Sequence, residues 1–282
     1  YLRRADVIFA HVLGAFNVME TMHPADFLEF RDFLVPASGF QSVSFRSLEQ
    51  LLGVQKESRA KVNGSEVFTY LKKDEQEQLK VERKVPSINE YITTILSKVR
   101  VPENFVEEYL KCADKVLRFQ QYDIARATPG DKKAEALIAK GVETIRSMIE
   151  DPIEWSEGLF IDPTDEAAVA EYKKACVGAL FVISYRNEPR FALLASLCDE
   201  FIAVEEGLVL WRGRHMSMAE RMIGRRSGTG GTSSGVGYLD VTRRYRIFHC
   251  LWLVRKLFVR SSALPPLSSW GLDEKTIFVS TD

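Results

Sequence analysis

The 282-residue sequence lacks the features that mark several classes of protein. No apolar run approaches the roughly 18 residues of a membrane-spanning helix, and no signal-peptide pattern is present. The four cysteines are far apart and form no CxxC pair, which argues against a zinc knuckle or a disulfide framework. Strand-like alternation is scarce as well. We therefore expect an all-α protein of the cytoplasm that has no membrane partner.

An excess of charge of one sign is also lacking. The net charge of -1 gives no general reason to expect a nucleic acid partner, although the C-terminal third is locally rich in arginine. With 46% hydrophobic residues, the chain can build a sizeable core. We expect one helical-bundle domain over residues 1–282, with a variable middle at about 55–165. Binding of DNA or RNA by the arginine-rich third is a distant alternative.

Helical patterns follow one another along the chain, separated by proline and glycine. A surface connection with a turn at 62–64 is expected between Gln55 and Lys84, where the composition becomes polar. The expected helices cover a first segment through Met19, then about 24–35, a segment from Phe45, 86–96, 102–119, 131–149, 167–186, 191–207, 211–224 and about 238–259.

One stretch carries the strongest functional signal. Trp211, His215, Met218 and Met222 fall at i, i+4, i+7 and i+11, so on a helix they form an apolar stripe that contains an imidazole. With arginines on both sides, this pattern suits a large flat cofactor such as haem, bound through a proximal histidine. The alternative is a core histidine with no ligand, which spacing alone favours.

Arg31 is a second candidate. It shares a helical stripe with Phe27, Leu28 and Leu34, and a guanidinium among apolar neighbours needs an anionic partner. A ligand carboxylate held by a bidentate fork is one such partner. The other is a protein carboxylate from Asp26, Glu29 or Asp32. Spacing does not separate the two.

The glycine-rich segment from Arg225 to Gly235 follows the histidine stripe. It is not a phosphate loop, because Gly230 to Gly235 is followed by Val-Gly rather than Lys-Ser/Thr. It does not complete a GxGxxG motif, and no strand pattern precedes it. The segment therefore predicts a loop that is mobile in the free protein and closes over a polar ligand.

Three blocks of the sequence are informative together: Glu20 to Leu34, Pro36 to Arg46, and Trp211 to Gly235. In this order they resemble the tryptophan 2,3-dioxygenase family, whose members are tetrameric haem enzymes that open the indole ring of L-tryptophan. The resemblance covers most of the chain outside roughly residues 55–165, with weaker support from 185–191 and from Tyr238-Leu239. It implies haem b, O2 and L-tryptophan as ligands, insertion of both oxygen atoms across the indole C2–C3 bond, the product N-formylkynurenine and a homotetramer.

The resemblance also assigns roles to individual residues. It implies that His215 is the proximal iron ligand, that Arg31 binds the substrate carboxylate and that Phe27 lies over the substrate. Thr229 matches the residue that contacts the substrate's ammonium and carboxylate groups, and Ser38 matches a hydroxyl near the haem. For the cofactor, we expect Arg46 to pair with a propionate and Trp211 and Met218 to form the wall on the His215 stripe.

The sequence departs from the family's pattern in two places. The family's distal histidine falls upstream of Tyr1, and His11, His23 and His249 do not match its position. We expect that residues upstream are missing from this sequence, or that the protein lacks the distal base. Gly213 is a smaller departure, since glycine inside a helix costs about 1 kcal/mol relative to alanine.

Two other functions stay open at this point. A related haem enzyme could add one oxygen atom to a substituted tryptophan or another aromatic amino acid, and the product mass would separate the two reactions. A haem-binding sensor without turnover is the second alternative, and steady-state oxygen uptake with tryptophan would distinguish it.

Overall fold

The structure is a computed structural model that describes residues 2–54, 67–120, 132–224, 226–230 and 235–272. Within these ranges the chain forms eleven α-helices and no β-strand, which confirms the all-α fold class. None of the described helices is long and apolar enough to span a membrane. The helices are α1 (Leu2–Met19), α2 (Pro24–Arg31), α3 (Val43–Leu52), α4 (Lys73–Glu82), α5 (Ile88–Ser97), α6 (Phe105–Gln120), α7 (Lys132–Glu150), α8 (Glu166–Ser184), α9 (Pro189–Ile223), α10 (Gly235–Thr242) and α11 (His249–Arg255).

Two compact units make up the chain. The first unit contains residues 1–91, 158–160 and 200–248, and the second contains residues 92–157, 161–199 and 249–282. The organisation as one domain with a variable middle stays a prediction.

In the first unit, local signals define helix α3 at both ends. The Ser42 hydroxyl accepts a hydrogen bond from the backbone N–H of Phe45, which satisfies one free donor of the first turn. Gly53, at φ 107°, ends the helix in the left-handed region that favours glycine. Helix α4 packs against α3, where the Gln50 side chain donates to the carbonyl of Leu79 at 2.7 Å. This packing fixes one face of α3 within the first unit.

Helix α1 is attached to α9 through Arg214. Its Nε donates to Glu20 at 3.1 Å and its Nη1 donates to the carbonyl of Leu13 at 3.1 Å. Phe16, on the same face of α1, is 6% exposed. Helix α9 runs for 35 residues to Ile223, and Gly224 follows it with a φ of 59°, which is typical of the residue after a helix C-terminus.

In the second unit, aromatic rings form the core. The ring centroids of Phe105 and Phe181 are 4.9 Å apart, and those of Phe181 and Phe191 are 5.3 Å apart, both in edge-to-face arrangements that aromatic pairs prefer. Gly178 on α8 lies directly against the backbone of Leu96, and a Cβ at this glycine would be 2.1 Å from the Leu96 carbonyl oxygen. Only glycine permits so close an approach.

The structure confirms most of the expected helices but changes some ends. Helix α2 ends at Arg31 instead of about Val35, and Asp32–Leu34 continues as a tighter 3-10 turn. The expected segments 191–207 and 211–224 are one uninterrupted helix, α9. Asp165 caps α8 by accepting from the backbone N–H of Ala168 at 3.0 Å, which confirms the expected start of that helix.

Two expectations were wrong. The polar segment up to Lys84 is not simply a surface connection, because 67–70 forms a 3-10 turn and α4 follows it; the turn expected at 62–64 lies outside the described residues. The long helix expected at about 238–259 is two short helices, α10 and α11. Between them, the backbone N–H groups of Ile247 and Phe248 donate to the buried carboxylate of Glu205, both at 3.0 Å. These two bonds take the place of helical ones.

Candidate functional site

A cavity of about 390 Å³ opens in the first unit. Its volume lies within the range of roughly 300–1,000 Å³ that is usual for small-molecule pockets. It is lined by residues from 38–49, by the α9 residues 211–219, by the loop residues 228–230 and by residues of α10. The cavity therefore joins the turn after α2, helix α3 and the histidine stripe in one place.

His215 forms part of the cavity wall. Its imidazole lies between the ring of Phe16, with centroids 6.4 Å apart, and the ring of Trp211, with centroids 5.4 Å apart. The Nδ1 atom is buried and has no hydrogen-bond partner among the residues that the structure describes. Burial lowers the pKa of His215 because the charged imidazolium loses its hydration. The wall thus presents a neutral imidazole, the form that binds metals.

Three buried charges lie beside the imidazole on the same wall. Glu49 of α3 accepts from Arg46 at 2.8 Å through one carboxylate oxygen and from Arg212 of α9 at 2.9 Å through the other. Arg46 is 6% exposed, and Glu49 and Arg212 are each 2% exposed. Two guanidinium groups share one carboxylate, so this charged triad carries one net positive charge. A wall of this kind favours a ligand with an acidic group.

The loop at 226–230 contacts the turn that follows α2. The Thr229 hydroxyl donates to the carbonyl of Ala37 at 2.7 Å. Gly230 lies against Ser38, where an added Cβ would be 2.6 Å from the Cβ of Ser38. The loop therefore covers one edge of the cavity in this structure. Arg225 and residues 231–234, which belong to the predicted mobile segment, lie outside the described residues.

Arg31 of α2 is directed at the same loop. Its guanidinium donates to the carbonyl of Ser227, next to Gly228 of the cavity lining. Its carboxylate neighbour is Asp32, at 3.7 Å, but the Asp32 side chain is 90% exposed. Water screens such a pair, so its attraction is weak. Asp32 is therefore a weak anionic partner for Arg31, and the place of the anion expected from the sequence is open to a ligand carboxylate.

The structure brings together five of the eight residues predicted for the site. Ser38, Arg46, Trp211, His215 and Thr229 all line the cavity. Phe27, Arg31 and Met218 are not part of its lining, and the ring of Phe27 packs edge-to-face on Phe30 with centroids 5.3 Å apart. The roles of all eight residues stay predictions. Of the histidines that do not match the distal position, His11 and His23 are exposed and His249 is buried.

Sequence reasoning missed Phe45 and Glu49 as site residues, and it identified Arg212 only as one of several arginines around the histidine stripe. The ring of Phe45 packs on Trp211 with centroids 5.0 Å apart, and Glu49 joins the two arginines. A usable signal existed, because Phe45, Glu49 and Leu52 share the apolar stripe of α3 at i, i+4 and i+7. A carboxylate on such a stripe needs a buried cation as its partner.

Comparison with known proteins gives one consistent result. The family described as tryptophan 2,3-dioxygenase matches residues 1–258. The tryptophan 2,3-dioxygenase of Sorangium cellulosum is 35% identical, over 94% of this chain and 67% of the relative. Tryptophan 2,3-dioxygenase 2 of Ralstonia nicotianae is also 35% identical, over 94% of this chain and 75% of the relative. A tryptophan 2,3-dioxygenase-like protein of Xanthomonas campestris is 35% identical, over 88% of this chain and 96% of the relative.

Proposed function

Because this chain belongs to the tryptophan 2,3-dioxygenase family and is accordingly an oxidoreductase, we propose that it inserts both atoms of O2 across the indole C2–C3 bond of L-tryptophan. The product is N-formylkynurenine, and the reaction is the first step of tryptophan degradation. The cofactor is haem b. The observation that carries the proposal is the imidazole of His215, which lies on the wall of an apolar cavity and whose buried Nδ1 has no hydrogen-bond partner among the described residues.

The residues of the cavity fit a haem group. A buried ring nitrogen without a hydrogen-bond partner among the described residues is costly unless a ligand or water accompanies it. Phe45 and Trp211 supply flat apolar surface, and the charged triad supplies a net positive charge for an acidic side group. His215 would hold the iron, and Arg46 would face a propionate. The haem supplies the iron at which O2 is activated, chemistry that protein side chains do not provide.

The side chains around the cavity would bind and orient the substrate. The guanidinium of Arg31 forms a planar fork that matches a carboxylate, and its present acceptor is the Ser227 carbonyl. The Thr229 hydroxyl, now bonded to Ala37, would turn to the ammonium and carboxylate groups. Phe27 would lie over the indole, and Ser38 would place a hydroxyl at the reacting face. Closure of the loop by these contacts excludes water.

We also place the protein in the cytoplasm as a homotetramer. Large apolar side chains on the first two helices and the turn that follows them are exposed, among them Val18 at 74% and Phe33 at 87%. Exposed apolar surface of this kind is what an oligomer interface buries. Sedimentation of the purified chain, with and without haem, measures the number of subunits.

The test is a titration of the purified chain with hemin, followed by reduction and addition of L-tryptophan and O2. We expect a Soret band typical of histidine-bound haem, oxygen uptake and a product that contains two added oxygen atoms. A product with one added oxygen atom would indicate the mono-oxygenating alternative. Haem binding without oxygen uptake would indicate a sensor, and absence of haem binding would refute the proposal.

A further inference from the structure

We propose that Glu49 is a positioning residue for His215 and acts through Arg212. The inference rests on the proposed function, because it concerns the histidine that would bind the iron. It goes beyond that function by assigning a role to a carboxylate that contacts neither the substrate nor the iron.

A buried ion pair connects helices α3 and α9. Glu49 lies on α3 and Arg212 lies on α9, three residues before His215. Their bond of 2.9 Å joins side chains that are 2% exposed, so water does not compete for either group. Residues three apart on a helix are neighbours on its surface. The bond therefore fixes α9 to α3 one turn away from the imidazole.

Aromatic packing connects helix α3 to the imidazole ring of His215. Phe45, one turn before Glu49 on α3, packs on Trp211 with centroids 5.0 Å apart. Trp211 packs in turn on His215 with centroids 5.4 Å apart. The imidazole has no hydrogen bond at Nδ1 in the described part of the chain, so aromatic packing holds its orientation. Metal-binding histidines are more often held by a hydrogen bond at the ring nitrogen that does not bind the metal.

The charges explain why a carboxylate is needed. Arg46 and Arg212 are both buried and share Glu49, and without its charge two cations would face each other in a dry interior. Their repulsion would separate α3 from α9 and move Phe45 away from Trp211. Glu49 thus sets the distance between the two helices that form the haem-facing wall.

The experiment separates positioning from stability. In Glu49→Gln, both cations remain and one negative charge is lost, so the unfolding temperature should fall. In Glu49→Gln combined with Arg212→Met, Arg46 alone remains charged, and the triad returns to its original net charge of plus one. The double variant should regain much of the stability, but the link between α3 and α9 stays broken.

Hemin titration of the full chain then provides the decisive readout, at a temperature where both variants are folded. We expect the double variant to bind hemin about 10- to 100-fold more weakly, as losses around metal ligands usually do, and to show an altered Soret band and ferric spin state. The matched control is Glu20→Gln, which breaks the more exposed pair with Arg214 on the same helix. It should keep the parent's spectrum and affinity.

Each outcome has one meaning. If the double variant is stable and keeps the parent's spectrum and hemin affinity, Glu49 is only structural and the inference is overturned. If Glu20→Gln changes the spectrum as much as the double variant, the effect belongs to α9 in general, and the inference is again overturned. If the parent chain itself binds no hemin, it is the proposed function that fails.

Discussion

Gly230 lies so close to Ser38 that a Cβ atom on the glycine would be 2.6 Å from the Cβ and 2.7 Å from the Oγ of Ser38. The Thr229 hydroxyl fixes the same loop to the carbonyl of Ala37 at 2.7 Å. The loop and the turn after α2 thus close one edge of the cavity by direct contact, and this contact leaves no room for a side chain.

Gly230→Ala should therefore force the loop away from the turn. An overpacked contact costs about 1–3 kcal/mol. If loop closure supports turnover, kcat/KM for tryptophan should fall roughly ten- to a hundredfold. Ser38→Gly is the matched partner. The Cβ that alanine adds at position 230 would be 3.7 Å from the Cα of residue 38, which is an ordinary contact distance. In the Ser38→Gly background, Gly230→Ala should lower kcat/KM only slightly. Equal losses in both backgrounds would show that the contact is unimportant.

Arg31 should act on the substrate's carboxylate and not on its indole. A charge-assisted bond of this kind contributes roughly 1.5–3 kcal/mol, so Arg31→Ala should lower kcat/KM for tryptophan about ten- to a hundredfold or more. Tryptamine, which has no carboxylate, should be a poor substrate for the parent and lose little further. Arg31→Lys should recover only part of the loss, since an ammonium lacks the planar fork. Equal losses for both substrates would make Arg31 a structural residue that holds Ser227.

The pH dependence of stability should report the state of His215. Burial lowers its pKa in the folded chain, so below the unfolded value of about 6.5 the unfolded chain takes up a proton that the folded chain resists. The free energy of unfolding of the haem-free chain should therefore decrease as the pH falls from about 6.5 towards the lower folded pKa. Urea unfolding of the parent and of His215→Gln at several pH values measures this. The parent's free energy of unfolding should exceed that of the variant by less as the pH falls. A difference that grows on acidification would mean that the imidazole is charged in the folded chain.

Two glycines inside helices should respond in opposite directions to the same change. At Gly178, an added Cβ would be 2.1 Å from the backbone oxygen of Leu96, so alanine should destabilise the second unit by about 1–3 kcal/mol or more. At Gly213, the nearest atom is the Cδ of Arg243 at 3.9 Å, and alanine should stabilise the helix by about 0.5–1 kcal/mol. Urea unfolding of the two variants compares them. A harmless Gly178→Ala would contradict the packing of α8 on Leu96.

Local sequence signals predicted much of the fold. Prolines and glycines marked several helix ends within a few residues, and Asp165 caps α8 close to its expected start. The break between α10 and α11 could not be predicted in this way, because its cause is the carboxylate of Glu205, about forty residues earlier in the chain. Periodicity describes one helix at a time and carries no information about distant hydrogen bonds.

The candidate site shows the same division. His215 could be identified because an imidazole on an apolar stripe has a recognisable pattern, to which a family resemblance gave a role. The function of Glu49 depends on two arginines, of which Arg212 is 163 positions away in sequence. Its place on the α3 stripe signals a buried charge but does not reveal which cations surround it. Such a triad becomes visible only when the helices are placed together.

Cysteine and tryptophan are distributed so that each compact unit has its own probe: cysteine alkylation for the second unit and tryptophan fluorescence for the first. All four cysteines are buried and fall in the second unit, where burial raises the pKa of Cys198 to about 12. Thiol reagents should therefore react only when that unit opens, so the alkylation rate measures its opening equilibrium. Of the four tryptophans, all among the described residues, Trp211 alone belongs to the first unit. Its fluorescence, isolated by replacing the other three with phenylalanine, would follow the cavity wall independently of the thiols.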